Sequence, residues 1–473
     1  MNAERLGAID ATYLAAEESR VPLHVASLAI FEAGPLLDER GVFRLDEVRA
    51  RIDGRLGLLP RLRQRVADVP FGIARPVWVD DVDFDIVNHV DVVGLPSPHD
   101  EAALLQLAAE LVMTPLDRAR PLWHLRFVTG LEGDRVALIE RAHHAMVDGV
   151  SGVDVSVVLL DASPDSPANV DTGWEPAPAP GAVALLVGGV IDRVRAPWVS
   201  GARTVVSLAN PARAARNARE VVAALRTVGA SGARAPRSSI NMQVGSRRRI
   251  VVLRERLSDV RSAGHARGAT VNDVVLTAVA GGMRALFLSR GESLPPDRTV
   301  KVLIPVSLRD ESESMTLGNR VGGLLASLPI GIGDIDERLE AIAKTTKELK
   351  ASPEASAADV LLRVADLLPP SIAKTIGRGV HHQPFVNTVV TNVPGPPFPL
   401  YAMGARMLEA FPIVPLGGNM DLEVAVLSYD GALTLGITAD CATCPDVEVF
   451  ADGLERSLCD LGARWSPAVV EAT

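Results

Sequence analysis

The alternation of hydrophobic and polar residues predicts strands and helices in turn along the first third of the chain. Period-two patterns at 23–33, 122–130 and 134–142 are typical of strands, and the last two are separated by a short turn at 132–134. The spacing of apolar residues at 44–56 instead predicts an amphipathic helix. Strands that alternate with helices in this way favour an α/β fold.

The second half of the chain repeats this mixture of patterns. Thr270 followed by Asp273 has the spacing of a capping box, so a long apolar helix is expected from there. Asp430 and Gly431 have the composition of a tight turn and predict a hairpin over 422–440. Further strand patterns occur at 299–308, 322–331 and 385–393.

A change in composition near residue 163 divides the chain. Residues 163–180 contain five prolines and few apolar residues, as a linker does. The following residues to 245 have helical spacing and charges that are nearly all positive. We therefore expect domains at 1–162 and 246–473, joined by a connector at 163–245. A basic amphipathic connector suits either an anionic lipid surface or a solvated helix packed across both domains.

Composition narrows the class of protein. The chain has 473 residues, of which 48 % are hydrophobic, enough for two cores. Its net charge of −10 argues against a nucleic-acid partner. The three cysteines, Cys441, Cys444 and Cys459, suggest a reducing compartment, and the Cys441–Cys444 pair has no second pair to complete a zinc site. The N-terminus does not resemble a signal peptide, and we find no run of 18–20 apolar residues.

The strongest chemical signal is "HHAMVDG" at 143–149. Ser151 and Asp154 have capping-box spacing, so His143, His144, Asp148 and Gly149 are predicted on a loop between a strand and a helix. A histidine can accept a proton near neutral pH, an aspartate can orient it, and a glycine lets the chain turn beside a ligand. Because no GxSxG nucleophile motif is present, these residues favour direct transfer to an acceptor hydroxyl.

Two other interpretations fit the same residue types. Adjacent histidines with an aspartate can bind a metal, although neighbouring residues on a strand point to opposite faces and no HExxH motif supplies further ligands. The segment can also be an ordinary turn. On residue types alone, the three interpretations remain open.

The chain resembles a known family at several spaced segments. "HHAMVDG" is similar to the HHxxxDG motif of the condensation-domain and chloramphenicol-acetyltransferase-like superfamily. "PLW" at 121–123, "GATVNDVVLTAVAGGMRALF" at 268–287 and "VVTNVPGPPFPLYAMGARM" at 389–407 resemble the bacterial bifunctional wax ester synthase/diacylglycerol acyltransferases. The resemblance extends over almost the whole chain.

This resemblance implies two chloramphenicol-acetyltransferase-like α/β domains, each a mixed sheet flanked by helices, with the site at their interface. It implies that His144 is the general base and that His143 shapes the site. Asp148 would be structural, with Arg309 as a candidate partner or an ordinary surface residue. Asn272 would either donate to the oxyanion of the transition state or serve in helix capping and interdomain packing.

The implied reaction transfers a long-chain acyl group from CoA to diacylglycerol, to a long-chain alcohol, or to both. The resemblance implies no metal or organic cofactor, since the thioester donor is already activated. It also implies a cytoplasmic protein held peripherally at the inner face of the membrane or at lipid droplets. Alternatives are a condensation-type enzyme that uses a carrier-protein thioester, and a non-catalytic lipid-droplet surface protein.

Overall fold

Two six-stranded mixed sheets form the framework of the protein. The computed structural model describes residues 3–147, 149–166, 174–191, 234–307, 321–351, 375 and 379–463. The basic part of the connector and Arg309 lie outside these described residues. The mixed sheets with flanking helices confirm the expected α/β class.

The N-terminal half alternates strands and helices as its periodicity predicts. Its strands are β1 (Glu4–Arg5), β2 (His24–Glu32), β3 (Gln64–Ala67), β4 (Val77–Asp80), β5 (Val90–Gly94), β6 (Trp123–Leu131) and β7 (Arg135–His143). Its helices are α1 (Ala8–Ala16), α2 (Leu45–Arg55), α3 (Glu101–Val112), α4 (Gly149–Leu159) and α5 (Ala182–Ile191). The helix α4 begins at Gly149, so Ser151 lies within its first turn and is not the capping residue that the spacing predicted.

The C-terminal half contains the predicted hairpin and the predicted long helix. Its strands are β8 (Arg248–Arg256), β9 (Thr299–Ser307), β10 (Val321–Pro329), β11 (Thr388–Pro394), β12 (Tyr401–Ala402), β13 (Ala405–Ile413), β14 (Leu422–Tyr429) and β15 (Ala432–Asp440). Its helices are α6 (Leu257–His265), α7 (Val271–Ser289), α8 (Ile335–Ala351) and α9 (Val447–Leu461). Asp430 and Gly431 both have positive φ, as a two-residue hairpin turn requires.

One sheet is built from both halves of the sequence. Its strand order is β12-β13-β2-β7-β6-β5, and β13 pairs antiparallel with β2 over Ala26–Phe31. Residues 401–413 therefore complete the N-terminal sheet, although the sequence places them in the C-terminal domain. Their alternating pattern marks a half-buried strand, but a pattern does not specify which sheet supplies the partner.

The second sheet, β10-β9-β11-β14-β15-β8, packs against α7 and α9. These helices cross closely at glycines, because a Cβ on Gly282 would lie 2.7 Å from the carbonyl oxygen of Phe450. The helix α7 is long and apolar enough to span a membrane by length and composition, which corrects our expectation that no segment reaches that length. Since 72 % of the apolar 18-residue stretch of this helix is buried inside the protein, α7 has the character of a core helix.

Candidate active site

The two histidines of the motif lie at the end of β7. His143 is the last residue of this strand and pairs with His24 on β2. The backbone N–H of His143 donates to Leu122 at 2.9 Å, and that of His144 donates to Leu23 at 2.8 Å. These bonds hold the backbone in place where the strand ends. The side chains of His143 and His144 lie in different environments.

His143 is buried and faces the protein interior. Its Nδ1 accepts the backbone N–H of Ala145 at 2.9 Å, which places the proton of the neutral ring on Nε2. That Nε2 lies 3.6 Å from Oε1 of Glu17, whose carboxylate also lies 3.3 Å from Nε2 of His24. Burial is the largest effect on His143 and lowers its pKa despite the attraction of Glu17, so the neutral ring is favoured at neutral pH.

Glu17 is the charged member of this group. Burial raises its pKa, but the attraction of His143, His24 and Arg118 together outweighs burial and holds the pKa well below its ordinary value. Arg118 donates to the other carboxylate oxygen at 2.7 Å. The carboxylate of Glu17 therefore stays ionised and orients the ring of His143 in the protein interior.

His144 lines a large cavity between the two halves of the protein. Its ring stacks on Tyr13 of α1, with 4.1 Å between ring centroids and 15° between ring planes. This stack limits rotation of the imidazole. The arrangement brings a group that can accept a proton to the wall of a space where a substrate can lie.

The cavity has a volume of about 630 Å³ and is walled mainly by apolar side chains from both sheets. Leu138, Ala142 and Val153 come from the N-terminal half. Leu324 and Leu427 come from the C-terminal half. A cavity of this size and character is suited to a small apolar ligand or to part of a long chain.

Asn272 lines the same cavity from the opposite half of the molecule. It lies in the first turn of α7, two residues after the capping residue Thr270. Asp273 has a structural role here, because it forms the predicted capping box with Thr270 and accepts from Thr346 at 2.6 Å. The structure therefore brings Asn272 and His144 to one cavity and keeps Asp273 in the helix cap.

The remaining motif residues are only partly described. Asp148 lies outside the described residues, as does its suggested partner Arg309. Gly149 is the first residue of α4, directly after the motif loop. Trp123 of the "PLW" segment is a core residue, since its ring is buried and its Nε1 donates to the carbonyl of Leu62 at 2.6 Å.

Sequence reasoning missed three residues near the motif: Tyr13, Glu17 and Glu140. Tyr13 and Glu17 lie more than a hundred positions away along the chain, and no local pattern indicates that they meet the histidines. Glu140 had a signal, since it is a carboxyl group within the otherwise apolar strand "VALIERA". It lines the cavity and accepts hydrogen bonds from Ser156 and Ser27.

A possible metal site was an alternative for the histidine pair. Within the residues that the structure describes, no group of three or more histidine, cysteine, aspartate or glutamate side chains is placed to hold a metal ion. The rings of His143 and His24 instead both lie beside one carboxylate, that of Glu17.

Comparison with known proteins identifies the family. The family model described as "Wax ester synthase/diacylglycerol acyltransferase catalytic domain" matches residues 6–275, and "WS/DGAT C-terminal domain" matches residues 317–462. The chain is 34 % identical over 464 residues to "Probable diacyglycerol O-acyltransferase tgs1" of Mycobacterium tuberculosis (strain CDC 1551 / Oshkosh), covering 97 % of this chain and 96 % of that protein. It is 32 % identical to "Probable diacyglycerol O-acyltransferase tgs2" of M. tuberculosis (strain ATCC 25618 / H37Rv), covering 96 % and 97 %.

Solved structures agree on the fold. The structure resembles "Wax ester synthase/diacylglycerol acyltransferase from Marinobacter aquaeolei VT8" with a TM-score of 0.69 and 23 % identity, covering 97 % of this chain and 98 % of that chain. It also resembles the first condensation domain of the calcium-dependent antibiotic synthetase, with a TM-score of 0.62, 17 % identity and coverage of 100 % and 99 %. These likenesses bear out the expected superfamily fold, and the family models and sequence relatives go further: this chain belongs to the wax ester synthase/diacylglycerol acyltransferase family.

Proposed function

We propose that this protein is an acyl-CoA-dependent O-acyltransferase that moves a long-chain acyl group from CoA to diacylglycerol, to a long-chain alcohol, or to both. The observation that carries the proposal is the position of His144 on the wall of a largely apolar cavity of about 630 Å³. Burial of each methylene of an acyl chain contributes about 0.8 kcal/mol, so such a wall favours lipid substrates. The sequence relatives named as diacylglycerol O-acyltransferases support acyl transfer to diacylglycerol.

In the proposed reaction, His144 accepts the proton of the acceptor hydroxyl. At the same time, the oxygen of that hydroxyl attacks the carbonyl carbon of the thioester. The tetrahedral intermediate then collapses, the C–S bond breaks, and the leaving CoA thiolate takes the proton back from His144. General-base assistance of this kind is worth roughly 10²–10⁴ in rate. The thioester brings its own activation, so the proposal requires no metal or organic cofactor.

Other motif residues act on the position or charge of the reacting groups. We assign to Asn272 the donation of a hydrogen bond to the oxyanion, because its amide lies at the start of a helix and faces the same cavity. His143 positions the loop through Ala145 and Glu17. For Asp148 we retain the structural role that the family resemblance implies, and for Gly149 the role of starting α4 beside the site.

The position of Lys350 suggests where the acyl donor, acyl-CoA, enters the cavity. This residue is exposed, yet it lines the cavity at the C-terminal end of α8. The cavity therefore reaches solvent beside a cation. An ammonium group at this opening suits the phosphates of CoA, whose acyl chain would then extend inward toward His144.

Purified full-length protein tests the reaction directly. It is incubated with labelled palmitoyl-CoA and either dioleoylglycerol or hexadecanol, and the neutral lipids are separated by thin-layer chromatography. We expect triacylglycerol, wax ester, or both, and a loss of roughly 10²–10⁴ in kcat for His144→Ala. The chain has a second pair of adjacent histidines, His381 and His382, of which His382 is exposed. His382→Ala is therefore a matched control that should keep its rate. Absence of both lipids, or equal rates for His144→Ala and wild type, contradicts the proposal.

Two alternatives predict different outcomes in the same assay. A condensation-type enzyme would transfer an acyl group from a carrier-protein thioester and ignore free acyl-CoA, so donor choice separates it from the proposed enzyme. A non-catalytic lipid-surface protein would bind lipid equally well with and without His144. The condensation domains resemble this chain in fold at 17 % identity or below, which is not an argument for their donor.

We further propose that the protein works on the cytoplasmic side, at the surface of the membrane or of lipid droplets. Support comes from an exposed apolar patch formed by α5 and the loop at 70–73. Phe71 is 92 % exposed and Val183 is 75 % exposed. The two segments adjoin, because a Cβ on Gly189 of α5 would lie 3.4 Å from the side chain of Ile73. The three cysteines are free thiols, which suits a reducing compartment.

Flotation with vesicles tests the lipid-surface proposal. We expect wild type to float with phosphatidylglycerol vesicles and Phe71→Ser/Val183→Ser to remain in the soluble fraction. Val42 is also exposed but lies outside the patch, so Val42→Ser is a matched control that should float. Equal flotation of all three proteins rules out this patch as the docking surface.

A further inference from the structure

Glu140 is a carboxyl group on the wall of an apolar cavity. Along β7, Leu138, Glu140 and Ala142 line the cavity, because alternate residues of a strand share one face. Its neighbours on that face are therefore apolar. Neither the proposed proton transfer nor the oxyanion contact uses this side chain.

Two serines hold the carboxyl group in place. Ser156 of α4 donates to Oε2 at 3.0 Å, and Ser27 of β2 donates to the same oxygen at 3.2 Å. Both serines also line the cavity. We call Glu140, Ser27 and Ser156 the polar clasp. Among the described residues, the hydrogen bonds to this carboxyl both end on Oε2, so the other oxygen has capacity for a ligand.

The clasp has no nearby cation among its described contacts to favour a charged carboxylate. Burial is the largest effect on Glu140 and raises its pKa, while the two serine hydroxyls oppose this only in part. A neutral carboxyl carries one O–H donor besides its acceptor oxygens. A donor inside an apolar space is costly unless a ligand or a water accepts its hydrogen bond.

Glu140 lines more than one cavity in the described part of the protein. Besides the main cavity, it lines two smaller spaces of about 40 and 20 Å³, whose other lining residues come mostly from the N-terminal half. A chain that lies in the main cavity along the face of β7 therefore contacts the clasp. Along the strand, Glu140 is three residues from His143, a distance of about 10 Å at ~3.3 Å per residue.

We propose that the polar clasp binds an oxygen function, a keto or hydroxyl group, carried in the middle of a long substrate chain. This inference rests on the proposed function, because it assumes that an acyl or alkyl chain lies in the cavity. Ser27 and Ser156 orient the carboxyl group, and its remaining oxygen meets the ligand. A chain with methylenes alone would leave the donor of the clasp without an acceptor, and the site would discriminate against it.

Equilibrium binding to full-length His144→Ala protein tests the clasp without requiring turnover. In one arm, the probes are octadecanoyl-CoA and the same thioester with a mid-chain keto group. In the other arm, they are octadecanol and its mid-chain keto analogue, measured by displacement of a fluorescent fatty alcohol. We expect the keto probe to bind about 3- to 10-fold more tightly in one arm, as a single net hydrogen bond predicts. The arm with the preference identifies which substrate carries the oxygen.

Variants of the clasp are then compared in the same background. Glu140→Leu should bring the ratio of the two affinities to about 1, and Ser27→Ala should reduce it, since the carboxyl loses one of its two hydroxyl donors. Thr391 lines the same cavity from β11, so Thr391→Val removes a hydroxyl elsewhere and should keep the preference. Thermal melting confirms that each variant is folded, and Glu140→Gln provides a second variant of similar shape.

Two results would overturn the inference: equal affinity for keto and plain probes in both arms, or a preference that survives in both Glu140→Leu and Glu140→Gln. These results are independent of the acyl-transfer assay. Turnover of plain substrates without a keto preference leaves the proposed function standing and removes the clasp. A keto preference in a protein without turnover leaves the clasp standing and removes the proposed function.

Discussion

The ring of Tyr13 stacks on the ring of His144 at 4.1 Å between centroids. Tyr13 belongs to α1 near the start of the chain, whereas His144 follows β7. The stack therefore ties the N-terminal helix to the proposed base. It explains how an imidazole on a loop is held in one orientation at the wall of a cavity.

Loss of this stack should affect turnover more than substrate affinity. We expect Tyr13→Ala to lower kcat by about 10- to 100-fold, since misplacement of a reacting group by about 1 Å can cost that much. Tyr13→Phe keeps the ring and should retain most of the rate. Steady-state kinetics of both variants provide the measurement. Similar losses in Phe and Ala variants would mean that the hydroxyl, and not the stack, is what matters.

Asn272 and Thr270 should separate catalysis from helix capping. Removal of an oxyanion donor by Asn272→Ala is expected to lower kcat by roughly 10²–10³ with little change in melting temperature. Thr270→Ala removes the side-chain cap of α7 and should cost about 0.5–2 kcal/mol of stability. Its kcat should stay near wild type at a temperature where it is folded. If Asn272→Ala loses only stability, its role is structural.

Glu17 should stabilise the fold in a pH-dependent way. Its folded-state pKa lies well below the ordinary value of 4.5, so the native protein binds fewer protons than the unfolded chain in acid. The stabilisation is fully present above about pH 4.5 and is lost as the pH falls further. We therefore expect the free energy of unfolding of wild type to exceed that of Glu17→Gln at pH 7, and the difference to shrink below about pH 4.5. Denaturant titrations measure both quantities.

Glu18 is the matched control for this experiment. It is exposed and adjacent in sequence, and its partner Arg20 is also exposed. Glu18→Gln should change stability little at any pH, because exposed ion pairs contribute about 0–1 kcal/mol. A constant difference between wild type and Glu17→Gln across the whole range would contradict the assignment of a charged Glu17.

Glu423 should have the opposite pH dependence. Burial is the largest effect and raises its pKa to about 8, although a hydrogen bond from Gly417 and the charge of Arg248 oppose the shift. Between about pH 4.5 and 8, the native state then binds more protons than the unfolded chain, so stability falls as the pH rises. Glu423→Gln keeps an acceptor for the Gly417 N–H and should make this decline shallower. Asp421 and Glu255, whose pKa values burial raises to about 7, contribute to the decline in both proteins. Wild type and variant should converge toward pH 4, and parallel profiles in denaturant titrations would disprove the prediction.

Much of the secondary structure follows from local patterns. The turn at Asp430 and Gly431 and the cap at Thr270 and Asp273 depend on residues within a few positions of one another. Such interactions operate whatever the rest of the chain does, so they can be predicted from sequence. The start of α4 was missed, since Gly149 already belongs to the helix whereas the spacing predicted its cap at Ser151. Boundaries of elements are the least reliable part of a prediction from sequence.

The candidate site was only partly predictable. The motif identified His143 and His144, and the family resemblance added Asn272. The sequence did not indicate which side chains contact these three residues. Glu17 defines the environment of His143, and Tyr13 fixes the ring of His144. Glu140 stood out as a charged residue in an apolar strand, yet its serine partners come from other elements.

The sequence by itself determined the alternating elements, the histidine motif and the family, because each of these depends on residues close together or on segments that match independently. The tertiary structure alone decided that β13 completes the N-terminal sheet, that α1 covers the motif, and that a cavity opens where the two halves meet. The physical reason is that these contacts join residues far apart in the chain. Their pairing is selected by burial and hydrogen bonding summed over the whole molecule, which no local pattern encodes.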